Sequence, residues 1–423
     1  MHLNSMRSAG SGKGIIMQQL SCQQKLKPWM GFALFAAVMA FMVFVSGYIQ
    51  KAWGLTGLAV TEAFFLILAI AYAVVLKLPF KEVFPVRKFK ARDFFGSLFL
   101  TAGGVLLGLI SVALTGMLFP KSLEGGDMQA LKTYTGGETG YILTMLAMAV
   151  MPAVCEEALH RGAILSNFRA FKKEWITVLI MGLFFGIFHL SSLRFLNTVI
   201  MGICLTYIVV KKNNILLSSL MHFLINSGSV SLSYLMNSLV KTLGKGSLAS
   251  VQMTAGTMKT ALGTYLICGI AAPFLIVAGL MLLDPKSHKK IRFLFAGVAS
   301  LIMLISAIAV ISSNNKGREV IVQTNMSYTI GAENEDSPPV MFDVENSGDY
   351  AVSVVVMNSD GEYSVRIEKD NGGSVSGGPV SSGAVKVYSR NTTLEAGSYK
   401  LYIISGTGTK GEKPVISVQI NRI

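Results

Sequence analysis

Within the six positions 156–161 stand two carboxylates, a histidine and an arginine: Glu156, Glu157, His160 and Arg161. The run before them, YILTMLAMAVMPAV at 141–154, carries no charge. On a helix at 100° per residue, Glu156 and His160 are one turn apart, as are Glu157 and Arg161. All four then fall within about 140° of one broad face. Glu157 with Arg161 makes an i,i+4 ion pair, which leaves Glu156 freer for chemistry. A carboxylate beside an imidazole is a set that can deprotonate water.

Two further polar interruptions follow. In MGLFFGIFHL (181–190), Gly182, Gly186 and His189 share a helix face, and Gly-x3-Gly lets another helix approach closely. His189 is therefore expected to point into a helix contact and not at lipid. In SSLMHFLINSGS (218–229), Ser218, His222 and Asn226 are each one turn apart and form a polar stripe. Such a stripe faces a cavity or a partner helix. Glu62 is a lone carboxylate in an earlier apolar run, and it reads as an interfacial or structural group.

The elements that must position these residues are apolar. The chain has 423 residues, 52% of them hydrophobic and only 14% charged. Soluble domains carry about 25% charge, and runs of about 20 apolar residues span a hydrocarbon core of roughly 30 Å. Nine candidate spans can be read, at about 28–50, 55–77, 94–118, 140–168, 175–192, 195–210, 214–239, 261–283 and 291–312. Charge at bilayer depth costs at least about 2.5–3.5 kcal/mol, so the polar residues are expected to be paired and functional. Cys22, Cys155, Cys204 and Cys268 form no Cys-x2-Cys pair and no disulfide framework.

The net charge of +14 is a topology signal and not a nucleic-acid footprint. Lys and Arg cluster before the first span and after the second, fourth, sixth and eighth. All these loops share one side when the N-terminus is cytoplasmic. Residues 1–27 read as a cytoplasmic basic tail, and GSGKG at 10–14 lacks the full phosphate-loop pattern. Residues 28–312 read as a transmembrane helical domain. From about 318 the composition turns to short β-branched runs separated by Gly, Asn, Asp and Ser, which reads as an antiparallel β-sandwich at 318–423. LEAGSYKLYI (394–403) looks like a late hairpin. By this topology the β domain is extracytoplasmic. The fold class is thus an α-helical polytopic membrane protein of about 8–9 spans with a C-terminal all-β sandwich. Its expected location is a cell membrane, of a bacterium by preference.

Depth supports a single site. Glu156 lies about 14–16 residues before the basic FKKE loop and His189 about 15 after it, which puts both roughly 20 Å from that end. His222 lies about 10 residues past Lys212, or roughly 15 Å in. Residues from three spans are therefore expected to meet near mid-membrane.

Three motifs carry a family resemblance. EEALHR (156–161) fits Glu-Glu-x3-Arg, FGIFH (185–189) fits Phe-x3-His, and HFLIN (222–226) fits His-x3-Asn. In this order and spacing the chain resembles the CPBP intramembrane proteases, which include the type II CAAX prenyl endopeptidases and bacteriocin-immunity proteins. The resemblance covers roughly 140–235 and says nothing of the β domain. Peptide hydrolysis needs a deprotonated water and a stabilised oxyanion. Glu156 with His189 could hold and activate the water, and His222 with Asn226 could donate to the oxyanion. The resemblance implies the same roles, with Glu157 and Arg161 in support.

Metal stays open at this point. Glu156, His189 and His222 could be three ligands of a catalytic zinc, yet no His-Glu-x2-His helix is present, and a metal-free glutamate mechanism is favoured. Two other functions compete: a non-catalytic immunity or binding protein on the same scaffold, and a proton-coupled transporter. The first has no need of every motif residue, and the second often carries internal repeats, none of which is seen. The expected partners are a membrane-embedded or lipid-anchored protein substrate and the bilayer, without nucleic acid. The β domain is a candidate for binding an extracytoplasmic ligand or protein.

Overall fold

A computed structural model describes residues 26–124, 140–243, 255–284, 289–315, 320–370, 373–382 and 385–422. The basic tail and its GSGKG segment lie outside the described residues, apart from Leu26 and Lys27. Contacts divide the chain into a helical unit, Met1–Tyr234 with Thr254–Ile308, and a second unit, Leu235–Met253 with Ala309–Ile423.

Helix α1 (Pro28–Phe41) passes through a π-helical turn, Met42–Ser46, into α2 (Gly47–Val75). The chain turns at Gly54, whose φ of 55° and ψ of −127° leave the helical region. Glycine reaches such a φ without the Cβ clash other residues meet. Beyond the turn the two arms pack side by side. The rings of Phe41 and Phe64 stack at 3.9 Å, whereas a straight helix would separate those residues by about 35 Å. The two expected spans at 28–50 and 55–77 are thus two arms of one hairpin.

The remaining long helices are α3 (Ala91–Leu118), α4 (Tyr141–Ile164), α5 (Glu174–Phe188), α6 (Phe195–Lys212), α7 (Ile215–Leu243), α8 (Ala255–Gly269), α9 (Ala272–Leu283) and α10 (Lys289–Asn315). By length and composition six described helices can cross a membrane, counting Pro28–Val75 as one. The pair α8 and α9, bent by 45°, makes a seventh when taken together. Helix α5 is apolar but short. The basic loops converge at one end of this unit. Lys211 bridges Glu174 at 2.7 Å and Asp284 at 3.0 Å, and Lys212 meets Asp93 at 2.7 Å. Asn214 receives the Arg87 amide and returns a hydrogen bond to its carbonyl.

The second unit holds two four-stranded antiparallel sheets, in the orders β1-β8-β3-β6 and β2-β7-β4-β5. The strands are β1 (Val320–Ser327), β2 (Val340–Val344), β3 (Gly348–Met357), β4 (Tyr363–Lys369), β5 (Gly373–Pro379), β6 (Val385–Leu394), β7 (Gly397–Ser405) and β8 (Val415–Arg422). Alternate residues of both sheets, such as Val352, Val354, Val356, Leu401, Ile403, Ile416, Val418 and Ile420, build one apolar core. The expected hairpin at 394–403 is not one. β6 pairs with β3 while β7 pairs with β2 and β4, so LEAG carries the chain from one sheet to the other. Tyr399 seals that crossing by donating its hydroxyl to the Glu395 carbonyl at 2.9 Å.

The fold is therefore a polytopic helical membrane protein with an antiparallel β-sandwich.

Candidate active site

Helix α4 is not a regular α-helix. Leu146–Val150 and Ala158–Ile164 are π-helical, and the Glu156–Glu157 pair closes the α-helical segment between them. π turns inside helices are frequent at functional sites. The start of α4 is tied to α7 by Tyr141 with Ser231 and by Thr144 with Tyr234, both at 2.9 Å. Further along, the polar cluster forms between the same two helices.

Arg161 and Glu157 are wholly buried, and Arg161 Nη1 donates to Glu157 Oε1 at 2.7 Å. The guanidinium also lies over the Phe185 ring, 4.3 Å from its centre. A buried charge without its partner is costly, so this pair is held by packing on every side. His222 of α7 reaches Glu157 Oε1 through Nδ1 at 3.1 Å. The hydroxyl of Ser218, one turn earlier, donates to the Ile215 carbonyl at 2.9 Å. A carboxylate that bonds Arg161 accepts, so His222 Nδ1 carries the proton and donates. The other ring nitrogen, Nε2, lies 4.0 Å from Glu156 Oε2.

His189 stands just past the end of the helix that carries Gly182 and Gly186. Gly182 and Gly186 do receive α6: a Cβ on either would come within 2.5 Å of Ile203 or Val199 side-chain carbons. Helix α5, however, ends at Phe188, and His189 caps it, half-buried. Leu190 follows with a φ of 49°, which stops the helix. His189 Nδ1 donates to the Phe185 carbonyl at 2.8 Å, because a carbonyl only accepts. In the neutral ring Nε2 is then an acceptor. Asn226, one turn beyond His222, is half-buried.

The parts played by two contributors escaped the sequence reading. Glu62 is neither interfacial nor isolated. It is buried, at 3% exposure, and its carboxyl is in hydrogen-bond contact with that of Glu156. Phe185 is the common floor. Its ring meets those of His160, His189 and His222 edge-on, at 5.3, 4.7 and 5.7 Å between centres. The Phe-x3-His spacing was the available signal. His160, one turn from Glu156 in sequence, is wholly buried against Phe185 and Phe188, and neither of its nitrogens has a hydrogen-bond partner among the described residues.

Among the described residues no three His, Cys, Asp or Glu side chains group as metal ligands. The Nδ1 atoms of His189 and His222 are committed to protein acceptors, which leaves both Nε2 atoms free, and no step below passes through a metal.

The fold and this cluster define a membrane-embedded helical protein with a buried Glu–His–Arg centre. Residues 138–228 match the protein-family model described as Type II CAAX prenyl endopeptidase Rce1-like. That segment holds all three motifs, and the resemblance to the CPBP and CAAX proteases is shown there. No curated protein matches the chain. Among solved structures, a carbohydrate-binding module from the Cellvibrio mixtus lichenase 5A, in complex with cellotriose, is 14% identical. It covers 25% of this chain and 99% of its own, with a TM-score of 0.20.

Proposed function

We propose that this protein is an intramembrane endopeptidase that hydrolyses a peptide bond of a membrane-embedded or lipid-anchored protein, with Glu156 as the base. The observation that carries this reading is the gap between Glu156 Oε2 and His222 Nε2. At 4.0 Å it is too long for a direct hydrogen bond, and Oε2 meets no donor among the described residues. A water about 2.8 Å from each atom would subtend an angle near 90° and serve both.

From that position the water oxygen attacks the scissile carbonyl carbon as Glu156 takes its proton. His189 Nε2, an acceptor while Nδ1 is held by the Phe185 carbonyl, orients the second water proton. Asn226 donates its amide N–H to the oxyanion. His222 adds a second donor from Nε2 when it carries both ring protons, with Glu157 as its counter-charge and Arg161 fixing Glu157. Collapse breaks the C–N bond, and Glu156 returns the proton to the leaving amine. Removing one oxyanion donor of this kind costs about 10²–10³ in kcat.

The bilayer is the site of action, with the N-terminus cytoplasmic and the β-sandwich outside. The convergence of the 87–93, 172–174 and 211–214 loops at one end supports that orientation. A bacterial cell membrane suits such a chain. The test is cleavage of transmembrane and lipidated peptides in proteoliposomes. Wild-type protein cleaves one of them, while Glu156→Ala and His189→Ala, folded to the same extent, do not. Retained cleavage in both variants rejects the reading.

A further inference from the structure

Glu62 is a carboxylate on α2 that the mechanism above does not use. It is 3% exposed, as deeply placed as the cluster itself, and it stands one turn before Phe65. Phe65 shares a single apolar core with Cys155, Ala158 and Leu159, the residues around Glu156. Helix α2 packs along α4 at this level. The carboxyl of Glu62 is in hydrogen-bond contact with that of Glu156. Yet neither Glu62 Oε2 nor Glu156 Oε2 meets an N–H or O–H donor among the described residues.

Two carboxylates cannot both stay ionised at that separation, and one proton between them turns repulsion into a hydrogen bond. That proton also supplies the donor both oxygens lack. We propose that Glu62 is a positioning residue for Glu156: the two carboxyl groups share one proton, and this bond aims Glu156 at the gap facing His222. The proposal rests on Glu156 being the base. The pair carries a single negative charge at rest. It gains a proton when water attacks and gives one up to the leaving amine, so its charge returns to the starting value.

The geometry separates this role from a structural one. Leucine at position 62 would fill the same space in an apolar core without a proton to share. Glutamine would keep an N–H donor for Glu156 but could not be deprotonated. The experiment measures kcat, KM and the pH profile of Glu62→Leu and Glu62→Gln in proteoliposomes, beside wild type and Glu156→Ala. Glu62→Leu is expected to lose about 10- to 100-fold in kcat through misplacement of Glu156, with KM within about twofold. Glu62→Gln is expected to recover at least about fivefold of that loss. It should also change the alkaline limb, since that limb belongs to the pair.

Wild-type kcat and pH profile in Glu62→Leu would overturn the proposal, as would Glu62→Gln as impaired as Glu62→Leu. An infrared measurement decides independently of turnover and of whether the leucine variant folds. The protonated-carboxyl band of a shared proton is present in wild type and lost or shifted in Glu62→Gln, and an unchanged band overturns the proposal. If Glu156→Ala still cleaves, the reading of Glu156 as base fails, while the infrared result still reports on the pair.

Discussion

The two units bury different things. The β-sandwich buries aliphatic and aromatic side chains on alternate strand positions and keeps its ion pairs outside, as with Arg366 and Asp336, which retain 32% and 40% side-chain exposure. The helical unit buries Glu62, Glu156, Glu157, His160 and Arg161, and leaves polar atoms of all five without a hydrogen-bond partner among the described residues. Buried polar groups are normally paired, and leaving one bare costs about 1–3 kcal/mol. The β-sandwich is arranged for stability. The helical unit holds stability-reducing groups together, as the proposed hydrolysis requires.

The contrast can be broken most forcefully at Arg161. Methionine there fills the volume but strands Glu157, and stability should fall by about 3–5 kcal/mol, read by unfolding of the purified protein in detergent micelles. A smaller loss in the other unit has a different origin. Ile403→Ala opens the sandwich core and should cost about 2–4 kcal/mol, with faster hydrogen exchange across β4 and β7.

Glu156→Gln should separate the two ideas. It removes the buried negative charge of the pair and is expected to raise stability by about 1 kcal/mol while peptide cleavage is lost. A fall in stability would mean that the site is held together by Glu156.

The smallest expected effect concerns Glu412 in the sandwich. Partial burial opposes its ionisation. Hydrogen bonds from Ser359, the Asp360 amide and Tyr363 outweigh that and hold its carboxyl below the usual carboxylate range. Its stabilising contribution is therefore present above the unfolded value of about 4.3 and lost as the pH falls through the lower folded value. Glu412→Gln should flatten the acid limb of unfolding below about pH 4, followed by tyrosine fluorescence of the whole chain.

Much of this was legible in the sequence. The i,i+4 spacing foretold the Glu157–Arg161 pair, and the Ser218–His222 stripe foretold a polar face turned to a partner helix. What escaped has physical causes. A lone carboxylate such as Glu62 has no local pattern, because its partner is 94 residues away in the chain. The early end of α5 depends on one residue, Leu190, adopting a conformation that its type disfavours. Strands β2 and β5 are short edge strands, and GSVSGGP shows little β-branched signal. The supposed hairpin at LEAG failed because turn residues mark a reversal without saying which sheet the next strand joins.

The π-helical stretch at Ala158–Ile164 has a consequence of its own. Such a turn closes a wider ring, i to i+5, than the α-helical one, so it accommodates one residue more than the surrounding helix. Deleting a single residue there would rewind the segment and swing Arg161 out of line with Glu157, although the composition of the stretch would hardly change. This part of the chain should therefore tolerate a change of side chain better than a change of length.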